Sequence, residues 1–378
     1  MAGNSILINQ AEAINQNMES HCMMNTNNLP TYTHAMKQKT CPLTVIVPAF
    51  NEAKSIADTI HSLKAQILQA EEIIVVDDFS TDGTGDIARA CGVTVIRPPR
   101  NTGSKAGAQN FALDSVNTEF TMAIDADTVL APDAIEKLMP ALNDSKVAAA
   151  CGLVLPRHVR TLWERGRYIE YLFAFSFFKV IQNHYERPLI SSGCFSAYRT
   201  QTLKAHGGWN TRTMAEDMDL TWTFYQAGYG VKFVPEAVCY PIEPHNYHFM
   251  GKQLRRWSHG FIQNVRLHWR GIMEDPFLRS TVAVALWDAS IASLAFLLLL
   301  PLLAIFVSPL FLLGYIIDFP IIVVPVVYKA FTRGETLRAL ASIPCFFVLR
   351  WVNGLFMFRA LWAEVVLKRP LMVYEKGH

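Results

Sequence analysis

Between Pro42 and Leu153, five short runs rich in β-branched residues alternate with stretches of helical hydrophobic spacing, and few folds accept that alternation. Residues 43–47, 72–76, 93–96, 120–124 and 147–153 read as buried strands, and 52–66, 84–90, 105–113 and 132–142 as the helices between them. Pro132 opens the last helix at its first turn, where a missing N–H costs little. Strands joined through helices pair in parallel. The expected class is therefore α/β, a Rossmann-like, mostly parallel sheet with flanking helices. Such sheets bind ligands beyond the carboxyl ends of their strands, so the chemistry should lie just after each run.

Those positions are acidic. Pro48-Ala49-Phe50-Asn51-Glu52 follows the first strand, Asp77-Asp78-Phe79-Ser80-Thr81-Asp82-Gly83 the second, and Asp125-Ala126-Asp127 the fourth. No G-x-G-x-x-G follows any of them, which argues against a dinucleotide held by close backbone approach. Asp125 and Asp127, two apart at a strand end, suit one hard divalent cation that could neutralise a diphosphate. The same spacing also serves turns and caps, and Asp77-Asp78 has the same two readings. Lys105, in Asn101-Thr102-Gly103-Ser104-Lys105-Ala106-Gly107, lies on the same predicted edge. Its ammonium either reaches a phosphate oxygen or stays solvated.

Composition narrows the classes. A net charge of +2 gives no bulk reason to expect a nucleic-acid partner. Apolar residues make up 51% and charged ones 17%, and the apolar excess lies almost wholly beyond Ser280. The expectation is a polar domain followed by an anchor. Seven cysteines without a CxxC pair read as core residues of a reducing compartment, not as a disulfide framework or a zinc site. Residues 1–40, rich in Asn, Met and Gln, read as a flexible lead-in rather than a signal peptide or anchor. His245-Asn246-Tyr247-His248 lacks the acidic helix context of a metalloprotease and reads as no metal site.

Seven motifs stand in one order: Val47-Pro48-Ala49-Phe50-Asn51-Glu52, Val76-Asp77-Asp78-Phe79-Ser80, 101–110, Asp125-Ala126-Asp127, Ser192-Gly193-Cys194, Glu216-Asp217 and Gln253-Leu254-Arg255-Arg256-Trp257. Together they resemble the family 2 inverting glycosyltransferases of GT-A fold. The last motif is similar to the QxxRW of the polymerising branch, which makes hyaluronan, cellulose, chitin and poly-N-acetylglucosamine. The resemblance implies a GT-A domain over about 41–270 that binds a UDP-sugar donor with Mg²⁺ or Mn²⁺. Ala49, Asn51 and Glu52 match the loop beneath the nucleoside, Asp77 and Asp78 the contact to uracil, and Lys105 a residue near the diphosphate. Asp125 and Asp127 match the carboxylates that hold sugar and metal. Asp217 matches the catalytic base and Glu216 its neighbour at the acceptor. Gly193 and Cys194 match the start of the acceptor pocket, Gln253 and Arg256 the phosphate contacts, and Trp257 the platform under the acceptor sugar. Read without the resemblance, Glu216-Asp217 is also a helix N-terminal acid pair, and Arg255-Arg256-Trp257 a basic interfacial helix with an aromatic anchor.

Residues 271–378 read as the membrane region. Between Asp288 and Asp318 lie 29 uncharged residues, more than the roughly 20 of one span and fewer than two. Counting from Thr281 to Tyr328 allows a hairpin of spans over about 282–303 and 308–328. Arg266, Arg270 and Arg279 precede it and Lys329, Arg333 and Arg338 follow it, which puts both ends in the cytoplasm at the cell membrane. Asp288 and Asp318 should face protein, water or the headgroups. Residues 340–367, interrupted by Arg350, Arg359 and Glu364, read as interfacial or as a third span. The aromatic stretch 168–181 reads as a core or surface helix.

The reading that follows is transfer of a sugar, N-acetylglucosamine first by analogy, from UDP to a growing β-linked glycan. The alternatives are addition of one sugar to a polyprenyl-phosphate lipid or lipid-linked primer, and a silent membrane protein that binds nucleotide sugar or glycan. Polymerising relatives commonly carry transmembrane helices ahead of the catalytic domain and none is read here, so the expectation is that a homo-oligomer or membrane partner completes a channel or that the product stays short or lipid-linked.

Overall fold

The computed structural model describes residues 39–372, which leaves nearly all of the expected lead-in outside the described residues. Eight strands, β1 (Lys39–Ala49), β2 (Leu68–Asp77), β3 (Thr94–Ile96), β4 (Phe120–Ile124), β5 (Val129–Leu130), β6 (Val147–Val154), β7 (Phe195–Arg199) and β8 (Gly230–Tyr240), form one sheet. Their order is β3-β2-β1-β4-β7-β6-β8-β5. The first four are mutually parallel, β7 runs antiparallel between β4 and β6, and β8 is parallel to β6. β5 pairs antiparallel with β8 at the far edge. The carboxyl ends of β1, β2 and β4 therefore meet the start of β7, with Ile124 opposite Phe195.

The sheet has a core on each side because neighbouring side chains point to opposite faces. In β1, Leu43, Val45 and Val47 join one buried cluster, while Ile46 joins the other. The helices Thr84–Ala90 and Lys105–Leu113 lie where their spacing places them. The first helix starts at Ile56, not at 52. Asn51 there has a positive φ of 54°, a conformation that turns the chain out of β1 before a helix can begin. The stretch expected at 132–142 divides into the helix Ala134–Leu138 and a 3₁₀ turn Met139–Leu142, with Pro140 inside the turn.

Beyond the sheet, the helix Tyr247–Leu267 leads through Trp269–Glu274 and Pro276–Leu286 into two π-helical turns and the helix Leu300–Phe306. Among the described residues two helices are long and apolar enough to cross a membrane, Pro309–Thr332 with 24 residues and Thr336–Val366 with 31. The first covers the second half of the expected hairpin. The second takes in 340–367 as one continuous helix whose interrupting charges have partners: Arg350 meets Asp288 at 2.6 Å, and the buried Glu364 accepts from His259 at 2.7 Å. The side chain of Asp318 lies outside the described residues.

Packing runs across residue 270. Ile272, Leu278, Val282, Met357 and Ala360 belong to the second buried cluster of the sheet. The helix Thr336–Leu361 also lies close on Leu162–Phe173. A Cβ on Gly166 would stand 2.9 Å from the Cys345 carbonyl oxygen and from Leu349 Cβ, so only glycine allows that approach.

Candidate active site

The loops leaving β1 and β2 are tied together by side chains. Asn51 N–H donates to Ser80 Oγ at 3.0 Å, its Oδ1 accepts from Thr81 N–H at 2.8 Å, and Glu52 N–H donates to Thr84 Oγ1 at 2.7 Å. Asp77, 2% exposed, turns inward: it accepts from Ser80 N–H at 2.9 Å and from Arg97 at 3.1 Å. Asp78 N–H donates to the Ala49 carbonyl at 2.8 Å, and its carboxylate accepts from the N–H and the hydroxyl of Thr102, both at 2.8 Å. Ala49 and Asp77 thus lie within the loop scaffold, while Asp78 links it to the segment that carries Lys105.

Lys105, at the first turn of its helix, reaches across the edge of the sheet. Its ammonium donates to the Gly193 carbonyl at 2.9 Å and forms an ion pair with Asp125. Gly193 N–H donates to Asp217 Oδ2 at 2.8 Å, and Asp125 N–H to the Cys194 carbonyl at 3.4 Å. Residues spaced over 112 positions therefore meet at one point, joined by a lysine and a glycine. Asp217 lies in the first turn of the helix Glu216–Gln226, where Met218 N–H donates to its Oδ1 at 2.9 Å. Beside it, burial and then the charge of Asp217 raise the Glu216 pKa, with Lys105 and Arg256 opposing.

Asp127 is half-buried and accepts from Thr128 Oγ1 at 3.2 Å. Desolvation, followed by the charges of Asp125, Glu52 and Glu243, pushes its pKa well above the usual carboxylate range. Carboxylates crowded in this way fit a hard cation, because a divalent ion offsets a repulsion that the side chains do not relieve among themselves. Among the described residues no three Asp, Glu, His or Cys side chains form a ready ligand set. A cation held by Asp125 and Asp127 would take its remaining ligands from water and a diphosphate, as small divalent ions commonly do.

Residues 44–207, which contain the loops, Lys105, both aspartates and Gly193, match the model of Glycosyl transferase family 2. The chain carries a family 2 glycosyltransferase domain. Over 223 residues it is 26% identical to the poly-beta-1,6-N-acetyl-D-glucosamine synthase of Staphylococcus aureus, covering 58% of this chain and 54% of that one. The Staphylococcus epidermidis synthase matches to the same extent. The chain thus spans about half the length of the curated relatives it matches. The mannosyltransferase PcManGT from Pyrobaculum calidifontis, solved with GDP-Man and Mn²⁺, is 20% identical with a TM-score of 0.55, covering 89% of this chain and 92% of that one. That likeness shows the GT-A fold that the family resemblance implies.

Beyond the matched residues, the last motif lies on the helix Tyr247–Leu267, and two of its members meet a residue the motifs do not include. Arg167, fully buried on the helix Leu162–Phe173, donates to Gln253 Oε1 at 2.8 Å and lies 4.6 Å from the centre of the Trp257 ring. It also pairs with Glu170 and lies 3.4 Å from Glu243, which in turn accepts from Tyr171 at 2.8 Å. Burial raises the Glu243 pKa, and Arg167 opposes the rise. One sign of Glu243 in the sequence is a carboxylate between prolines, Pro241-Ile242-Glu243-Pro244, just after a β-branched run. Arg167 has no such sign. Lys179 was equally hidden: it is buried against Phe175 and donates to Ser192 at 2.9 Å, bracing the segment that carries Gly193.

Proposed function

We propose that the protein is a membrane-bound inverting glycosyltransferase that moves N-acetylglucosamine from a UDP donor to a growing β-linked glycan. The observation that carries this reading is the convergence of Lys105, Asp125, Gly193 and Asp217 at the carboxyl edge of the sheet. It places a cationic group, a donor-side carboxylate and a candidate base next to one another. Asp217 takes the proton of the acceptor hydroxyl as that oxygen attacks the anomeric carbon. The bond from that carbon to the diphosphate breaks on the opposite face, so the configuration inverts. Lys105 and Arg256 stabilise the departing UDP. Asp125 and Asp127 would hold Mg²⁺ or Mn²⁺, whose chemistry there is to neutralise diphosphate charge.

The similarity to the staphylococcal synthases supports the sugar and the repeated transfer. The apolar surface supports the membrane. Ile305, Phe306, Leu310, Tyr328, Phe331 and Leu337 are each 70% exposed or more, and a lipid bilayer would cover such a surface. The basic residues flanking this region support a cytoplasmic side for the domain.

The test is to purify the chain in detergent with Mn²⁺, supply a panel of UDP-sugars, and follow UDP release and product mass, with Asp217→Asn as control. A ladder of N-acetylhexosamine masses, absent in the variant, is the expected result. Single additions would replace this reading with lipid or primer glycosylation. The absence of release from every donor would leave a binding protein.

A further inference from the structure

We infer that Arg167 is a positioning residue for the acceptor platform, its buried guanidinium fixing the plane of the Trp257 indole and the amide of Gln253. The inference rests on the proposed transfer reaction for the meaning of that platform, but the geometry stands by itself.

An ionised guanidinium buried between helices gains little over apolar packing, because desolvation consumes most of what its ion pairs return. What it does supply is direction. Arg167 has a planar fork of donors, and its neighbours use the fork from several sides: Glu170 and Gln253 Oε1 accept from it, Glu243 lies 3.4 Å from Nε, and Met250 Sδ lies 3.1 Å from Nη2. A plane held at its edges presents its faces to rings. Trp257 lies 4.6 Å away at its ring centre and Tyr171 5.6 Å away. Guanidinium stacking of this kind is strengthened by desolvation, and it also fixes the ring orientation.

The consequence concerns Trp257 as a platform. The guanidinium backs one face of the indole, so a sugar ring can stack only on what remains open. Trp257 is half-buried, consistent with one side covered and one side accessible. Gln253, one turn earlier on the same helix, is held by the same guanidinium. Two motif members are thereby set by one side chain from another helix.

Lysine at position 167 keeps the positive charge beside Glu170 and Glu243 but loses the plane and the fork. With 5-fluorotryptophan incorporated and the Trp257 signal assigned by Trp257→Phe, Arg167→Lys should shift and broaden that ¹⁹F resonance and leave distant tryptophans in place. In the active protein, the KM for a soluble β-linked N-acetylglucosamine oligomer should rise about tenfold, while acceptor-independent UDP release, which Gln253 also serves as a phosphate contact, should fall by clearly less than that. An unmoved Trp257 resonance, or equal loss of acceptor use and donor hydrolysis, would overturn the inference. If Arg167→Lys does not fold, Glu170→Ala removes the acceptor at one edge of the guanidinium and is judged by the same resonance. Wild-type protein that transfers no sugar would refute the proposed function, while the resonance would still decide the positioning role.

Discussion

Gly193 donates its N–H to Asp217 Oδ2 at 2.8 Å, and a Cβ placed on Gly193 would stand 2.8 Å from that same oxygen. The glycine is therefore required for the approach that aims the candidate base. Gly193→Ala should displace the Asp217 carboxylate by a few tenths of an ångström to an ångström, and misplacements of that size cost up to about 10²-fold in turnover. The variant should fold normally, since the atoms it would meet, in the Asp217 carboxylate and the Lys105 ammonium, belong to side chains that can shift. Steady-state UDP release checks this: kcat should fall by at least about tenfold with little change in donor KM, and unchanged turnover would show that Asp217 needs no such alignment.

Asp217→Asn removes the proton acceptor but keeps the shape and the hydrogen bond from Gly193. General-base contributions are about 10²–10⁴-fold, so transfer should fall into that range. Donor binding, read by equilibrium titration with UDP and Mn²⁺, should stay within about threefold. An active Asn variant would move the base elsewhere, with Glu216 the first alternative.

The strand spacing made one half of the sheet legible. Residues 120–124 coincide with β4, and 43–47 and 72–76 lie inside β1 and β2. β-branched runs bounded by turn residues identify parallel strands without help from the rest of the chain. In the other half, 147–153 matches β6, but the remaining strands were not legible in this way. β5 has two residues, and β7 enters antiparallel, fixed by partners far along the chain. At the site, the residues just after strands were found because sheet topology assigns ligands to that edge. Arg167 was not, since its partners Met250 and Gln253 lie 83 and 86 positions away and no local pattern marks an arginine for burial. The charges at Arg350 and Glu364 left 340–367 between an interfacial segment and a third span for the same reason: their partners, Asp288 and His259, come from other elements.

Asp219 anchors the back of the helix that carries Asp217. It is 1% exposed and accepts from Arg212 Nε at 2.7 Å and from His268 Nε2 at 2.7 Å. Burial works against its charge, but the hydrogen bonds from Arg212 and His268 prevail and hold its pKa below the usual value. A depressed carboxylate contributes stability that is present above the unfolded pKa of about 3.9 and is lost as pH falls through the folded value. Asp219→Asn should therefore cost about 2 kcal/mol near neutral pH, the scale of a hydrogen bond to a charged group, and lower the Tm by a few degrees. The gap between variant and wild type should close as the pH falls below about 4. Thermal unfolding in detergent across pH 3–7 would show it, and a gap independent of pH would assign the effect to packing.

Asp288 and Arg350 meet at 2.6 Å between the segment Trp287–Ala292 and the helix Thr336–Leu361, with Arg350 also 5.5 Å from the Phe296 ring. Each charge alone in lipid costs about 2.5–3.5 kcal/mol on insertion scales, so removing one partner leaves the other uncompensated. Asp288→Leu and Arg350→Leu should each lower the thermal midpoint in nanodiscs by several degrees. The double substitution should recover most of the loss, because an apolar pair of similar size avoids the desolvation that the ion pair must overcome. A double variant as unstable as the sum of the singles would mean that the two charges act separately, each on water or on a lipid headgroup rather than on the other.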